Sequence, residues 1–243
     1  MRVLVTRPSR DAETTAKRLL ARGHEAVIAP VMEIVATNAE PPRAPFDALV
    51  ATSAHAIELA SRDVLRRHVA TPLWCVGART TVAARARGFS NVKEPAPNAR
   101  ELATRMLARA KPHGRYLYLA GLDRKPMLED ALRAANHHVD VLIVYEARAA
   151  TALPPAAIEA LGANRIDAVL HLSRRSAELF LTLAREAGVD QTVTRAKHVC
   201  ISEDAARPLR DAHLEPRVAA TPDFAGLLAA LENPAVDPST PVG

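Results

Sequence analysis

The chain has 243 residues, 32 Lys and Arg against 27 Asp and Glu, and 49% hydrophobic residues, a formal net charge of +5. No apolar run approaches the ~20 residues that span a bilayer, which excludes a membrane protein. With aromatics at 3% and no long basic run, a nucleic-acid-binding stripe finds no support. The length suffices for two hydrophobic cores, because a half of about 120 residues still buries roughly 66% of its unfolded surface.

In chain order, Val3-Leu4-Val5 reads as a first strand. The chain turns polar directly afterwards, so it offers no signal-peptide core and reads as cytoplasmic. An amphipathic stretch follows from Asp11 to Arg22, then the apolar run Val27-Ile28-Ala29. Ala48 to Ala51 leads into a helical pattern from Ala54 to Leu65, and Leu73 to Val76 leads into another from Thr80 to Arg87. The strands are continuously apolar rather than alternating, which argues for parallel sheets covered by helices on both faces. Gly23, Gly88 and Gly188 fall where helices should stop, as left-handed terminating residues.

Internal repeats organise this pattern. Arg2 to His24 lies on Arg115 to His137 without a gap, with Asn136 in place of Gly23. Phe46 to Ser53 matches Ile166 to Ser173, Trp74 to Gly77 matches Val199 to Ser202, and Pro97-Asn98 answers Pro222-Asp223. The blocks therefore run A, B, A′, B′. Linker-like stretches rich in Ala and Pro, Thr37 to Pro45 and Ala147 to Pro155, bracket B plus A′ as one continuous domain. The expected division is residues 1–35 plus 150–232 as a discontinuous first domain and 39–146 as the second. Residues 36–38 and 147–149 are the crossings, and 233–243 a mobile Pro-rich tail. Two crossings imply a hinge with a cleft.

In open parallel sheets, ligands bind beyond the carboxyl ends of strands, where helix N-termini attract anions. Nearly every such loop here offers a small hydroxyl or glycine beside a cation, which points to a multiply anionic ligand. A hydroxyl at a helix start also serves simply as an N-cap. There is no GxGxxG after the first strand and no GxxxxGK[ST], so dinucleotide and nucleoside triphosphate sites lack support. Cys75 and Cys200 lie in apolar runs as core thiols, and His137-His138 has no further ligand at metal spacing. Neither a GxSxG elbow nor a Cys/His arrangement argues for covalent catalysis.

Val5-Thr6-Arg7-Pro8, Asp47 before Thr52-Ser53, Val76-Gly77 with Thr80, the strand Val141 to Tyr145, Asp167 before Ser173, and Pro222-Asp223 together resemble the uroporphyrinogen-III synthase family. The likeness runs from Arg2 to Leu231. It implies an α/β fold of two flavodoxin-like doubly wound domains joined by a two-stranded linker, with the active site in the interdomain cleft. It implies a lyase of haem biosynthesis that cyclises hydroxymethylbilane to uroporphyrinogen III by dehydration to an azafulvene, a spiro intermediate and reclosure with the terminal ring inverted. No cofactor or metal is implied. The proton donor for the departing hydroxyl falls on Tyr145, a phenol, which stays protonated at neutral pH. The substrate's eight carboxylates would meet Arg7, Ser53, Gly77, Arg79, Thr80, Gly121, Arg124, Ser173, Arg174 and Ser202. His55 departs from the family's Asn. The acids of Ser202-Glu203-Asp204 would oppose a carboxylate, and Leu122-Asp123 stands where a second glycine is usual. Expected partners are the substrate alone, handed over by the upstream bilane-forming enzyme, with no nucleic acid or membrane and the chain a monomer. A non-catalytic two-domain sensor of tetrapyrroles or other polyanions is the alternative.

Overall fold

The computed structural model describes residues 1–233; the tail expected at 233–243 lies outside them except for Asn233. The chain divides into two compact units: Met1–Glu33 with Ala149 onward, and Ile34–Arg148. The first segment carries β1 (Arg2–Val5), α1 (Ser9–Leu20), β2 (Glu25–Ile28) and β3 (Met32–Ala36). The middle adds β4 (Ala48–Ala51), α2 (Ala54–Glu58), α3 (Arg62–His68), β5 (Leu73–Cys75), α4 (Gly77–Ala86), α5 (Ala99–Leu107), β6 (Arg115–Gly121), α6 (Met127–Ala134) and β7 (His138–Ala149). The last returns with α7 (Pro155–Gly162), β8 (Ala168–His171), α8 (Arg174–Glu186), α9 (Asp190–Val193), β9 (Lys197–Cys200), α10 (Glu203–Asp211), β10 (Arg217–Val218) and α11 (Phe224–Glu232). The chain passes between units inside β3 and β7, so residues 147–149 continue a strand rather than forming a loop.

The first unit, from both chain ends, has strand order β10-β9-β8-β1-β2, and the second β3-β7-β6-β4-β5. The pairings of β1 with β2 and β8, and of β6 with β4 and β7, are parallel. The runs β9-β8-β1-β2 and β5-β4-β6-β7 therefore place the repeated blocks identically, although A precedes its B-type partner in one unit and follows it in the other. Burial explains the continuous apolar strands. β4 and β8 are buried at every residue. Successive side chains feed opposite faces: Leu4 joins one core cluster with Val169 and Phe180, while Val3 and Val5 join another with Leu170 and Leu227. Both cysteines are fully buried, and desolvation raises each thiol to about 12.

The repeat also accounts for the two aspartates. The Arg115 backbone N–H donates to Asp47 Oδ2 at 2.9 Å, and the Arg2 N–H to Asp167 Oδ2 at 2.6 Å. Each carboxylate thus ties the start of one strand to the start of its neighbour, and the backbone hydrogen bond holds Asp47 below the usual carboxylate range. Gly23 and Asn136 end their helices with φ of 74° and 60°, the left-handed stop expected of both.

Two helices differ from the periodicity. The stretch Ala54 to Leu65 breaks into α2 and α3 because Ser61 Oγ accepts from the Val64 N–H at 3.4 Å and starts a second helix. A side chain that caps a backbone N–H competes with helix continuation. The gapless repeat places a helix from residue 122, opposite α1, but α6 begins at Met127. Pro126 disfavours helical backbone at Lys125, leaving 122–126 as a loop.

Candidate active site

In the second unit the carboxyl ends of β6, β4 and β5 present, in that spatial order, Gly121, Ser53 and Gly77, and Tyr145, within the longer β7, lies beside Gly121. The β6–β7 register shifts between Ala120 and Gly121, so that Gly121 pairs with Tyr145. A Cβ added to Gly121 would lie 2.5 Å from Tyr145 Cζ and 2.8 Å from its hydroxyl oxygen. Only glycine lets the phenol lie across this strand end. The Tyr145 ring also meets His55 edge-on, centroids 5.8 Å apart, and its hydroxyl has no hydrogen-bond partner among the described residues. On the other face of the sheet Tyr118 OH shares a 2.8 Å hydrogen bond with Thr52 Oγ1, and burial pushes the Tyr118 phenol upward. Tyr118 and His55 were not among the sequence candidates. The alternation of Tyr116, Tyr118 and Ala120 with Leu117 and Leu119 along β6 was the available signal that the two tyrosines of this strand share a face.

The serines are N-caps. Ser53 Oγ accepts from the His55 N–H at 3.2 Å and Ser202 Oγ from the Ala205 N–H at 3.3 Å. A hydroxyl that accepts still has a proton to donate, so both can bind an oxyanion while capping. Ser173 is more committed. Its Oγ accepts from the Ser176 N–H at 3.1 Å and contacts Ser176 Oγ at 3.0 Å, and its own N–H donates to Ser176 Oγ at 3.2 Å. Gly77 has φ of 76°, and its N–H donates to the Ala96 carbonyl at 2.9 Å. Its role is thus the turn into α4, since the first N–H is already engaged. Thr80 is buried and Arg79 exposed.

The arginines differ from the expectation of cations held ready for the ligand. Arg7 reaches Asp11 Oδ2 at 3.3 Å and Thr15 Oγ1 at 3.4 Å, and Arg174 reaches Glu178 Oε1 at 2.8 Å. Arg124 reaches Glu129 through Nε at 2.6 Å and Nη2 at 3.4 Å, and Glu129 is only 3% exposed. Each guanidinium is answered by a carboxylate of the adjoining helix. Arg124→Gln should therefore cost about 1–3 kcal/mol by leaving a buried carboxylate under-paired, read by denaturant titration. A loss of ligand affinity at unchanged stability would contradict this structural role.

One buried pair in the first unit lies below the loops that carry Ser173 and Ser202. His171 Nε2 meets His198 Nδ1 at 3.0 Å, and His198 Nε2 meets the Val193 carbonyl at 3.0 Å. A carbonyl only accepts, so His198 Nε2 carries its proton and its Nδ1 accepts from His171 Nε2–H. His171 Nδ1 is then a buried acceptor with no partner. Desolvation, then the neighbouring imidazole, drives His171 well below the ordinary histidine value, and desolvation lowers His198 as well. The unfolded chain takes up protons below about pH 6.5 that the folded pair refuses, so stability falls as pH drops through that value. His68 of the second unit, also lowered by burial, adds to the same slope. Replacing both members, His171→Phe with His198→Leu, should flatten the stability profile between about pH 5 and 6.5. Parallel wild-type and variant profiles in urea unfolding would contradict it.

Two open sheets of mainly parallel strands, with helix starts capped by serines after β4, β8 and β9, define the class: a two-sheet α/β protein. A family profile described as uroporphyrinogen-III synthase HemD matches residues 13–229, and the chain belongs to this family. It is accordingly a lyase of tetrapyrrole biosynthesis that cyclises hydroxymethylbilane. Among solved structures it is similar to the Helicobacter pylori uroporphyrinogen-III synthetase at TM-score 0.66 and 16% identity, covering 95% of this chain and 98% of that one. A mutant uroporphyrinogen III synthase from Thermus thermophilus matches at TM-score 0.50 and 18% identity, covering 95% and 96%. No curated protein matches. No helix among the described residues is long and apolar enough to cross a membrane.

Proposed function

We propose that the chain closes hydroxymethylbilane with inversion of the terminal ring, and that Tyr145 gives its phenolic proton to the departing hydroxyl. The leaving group departs as water, the pyrrole nitrogen supplies the electron pair, and the azafulvene results once its N–H proton passes to the tyrosinate just formed. Attack by the substituted carbon of the terminal ring then forms the spiro intermediate, which opens and recloses inverted. Closure in water gives the uninverted isomer, so the protein's contribution is to hold the two ends where the inverting attack dominates. The observation that carries this reading is the Tyr145 hydroxyl, laid across Gly121 at the end of β6 without a partner among the described residues.

In this reading the two units are two flavodoxin-like domains, and the substrate's carboxylates engage strand-end loops. Ser53 and Ser202 donate hydroxyl protons, and backbone N–H groups at the helix starts supply much of the remaining attraction. Arg7, Arg79, Arg124 and Arg174 act as rim charges, with Gly77, Thr80, Gly121 and Ser173 shaping the loops. We place the reaction in the cytoplasm, with a monomer taking its short-lived substrate from the upstream bilane-forming enzyme.

Freshly prepared hydroxymethylbilane incubated with the protein should yield mostly the type III isomer. An isomer ratio equal to that of the protein-free control, with ligand binding retained, would instead make the chain a binder without catalysis.

A further inference from the structure

A second site lies at the other end of the same sheet, outside the amino ends of β4, β5 and β6. Trp74, Tyr116, Lys93, Arg109, Lys111 and Asp47 line a pocket of about 220 Å³. A water's share of liquid volume is about 30 Å³, so this space holds a small molecule. Trp74 is 7% and Tyr116 4% exposed. Buried indole N–H and phenol O–H groups ordinarily find a partner, yet neither has one among the described residues, and neither atom is sealed from solvent. The Tyr116 hydroxyl lies beside Gly114, where an added Cβ would come within 2.8 Å of it.

The charges around these two donors favour an anion. The Arg109 guanidinium carbon lies 5.9 Å from the Trp74 ring centroid. Neither Arg109 nor Lys93 has a carboxylate partner among the described residues. The pocket's one carboxylate, Asp47, already accepts from Lys111 Nζ at 3.5 Å and from the Arg115 N–H.

The internal repeat supplies an independent control. The first unit carries the same strands in the same order, and there the positions of Trp74, Tyr116 and Met106 are held by Val199, Val3 and Leu231. Val199, Val3 and Leu231 form part of an ordinary aliphatic core. The fold therefore does not require an indole and a phenol at these places.

We propose that this pocket binds a small oxyanion, a carboxylate or a phosphate, with its oxygens on Trp74 Nε1–H and the Tyr116 hydroxyl and its charge answered by Lys93 and Arg109. The site is separate from the strand-end loops of the cyclisation reaction and does not depend on the reading of Tyr145.

Trp74 is the chain's single tryptophan, so its fluorescence reports occupancy directly. Acetate and inorganic phosphate, each titrated into the full-length protein at ionic strength held constant with chloride, are the probes. A saturable change with either supports the site, and the one that binds more tightly identifies the preferred oxyanion. Tyr116→Phe removes one oxygen and should weaken binding about tenfold; Lys93→Gln, on a partly exposed side chain, should weaken it several-fold and reads out the site even if the tyrosine variant folds poorly. A change that stays linear in ligand, no change, or wild-type affinity in the folded Lys93→Gln variant would overturn the proposal.

Discussion

Tyr145→Phe should slow formation of the type III isomer by about 100- to 10,000-fold, the usual contribution of a positioned general acid. Its unfolding free energy should stay within about 0.5 kcal/mol of wild type. The second expectation makes the first interpretable. The Tyr145 hydroxyl has no partner among the described residues, whereas the ring packs against the core built around Leu49, Leu117 and Leu119. Removing one oxygen leaves that packing untouched. Rate and isomer ratio would be followed by chromatographic separation of the oxidised porphyrins, with stability measured by urea titration. A variant with the wild-type rate would remove Tyr145 from the chemistry and return it to a packed strand residue.

Gly121→Ala should reduce the same rate by about 100-fold through displacement of the phenol rather than loss of the fold. The added methyl would occupy space 2.5 Å from Tyr145 Cζ, and the atom in conflict is the far end of a side chain. The ring can swing aside, so stability should change little while the hydroxyl leaves its position. The two substitutions act on one group, and their effects should not add. Gly121→Ala introduced into the Tyr145→Phe background should cost little further activity. Additive losses would mean that Gly121 serves the reaction by another route.

Several features were legible in the chain because they are local or repeated. The continuous apolar runs at Val3-Leu4-Val5 and Ala48 to Ala51 announce strands buried on both faces. The correspondence of Asp47 and Asp167 reflects a shared role, a carboxylate accepting the first N–H of the adjacent strand. Gly23 and Asn136 mark helix ends by their tolerance of positive φ. The serines after β4, β8 and β9 read equally as caps and as ligand contacts, and the structure has them capping.

Other features depended on partners distant in sequence or on one-residue geometry. Arg7, Arg124 and Arg174 look alike as strand-end cations, but the carboxylates that answer them are identified only once each helix has a start and a phase. For Arg124 that start is set by Pro126. The reason for glycine at 121 is the register shift that brings Tyr145, 24 positions later, against it. The buried contact of His171 with His198 joins neighbouring strands separated by α8 and α9.

Taken by itself, the sequence determined the kind of structure, because hydrophobic period, helix stops and block order act within short windows and recur twice, while the likeness to the family rested on short motifs such as Val5-Thr6-Arg7-Pro8. Tertiary structure decided which groups are available for chemistry. Hydrogen bonds and ion pairs saturate: once Glu129 holds Arg124 and Ser176 holds Ser173, those groups are engaged, while the hydroxyls of Tyr145 and Tyr116 keep their hydrogen-bonding capacity. That division depends on distances of about 3 Å between side chains, which no linear pattern encodes.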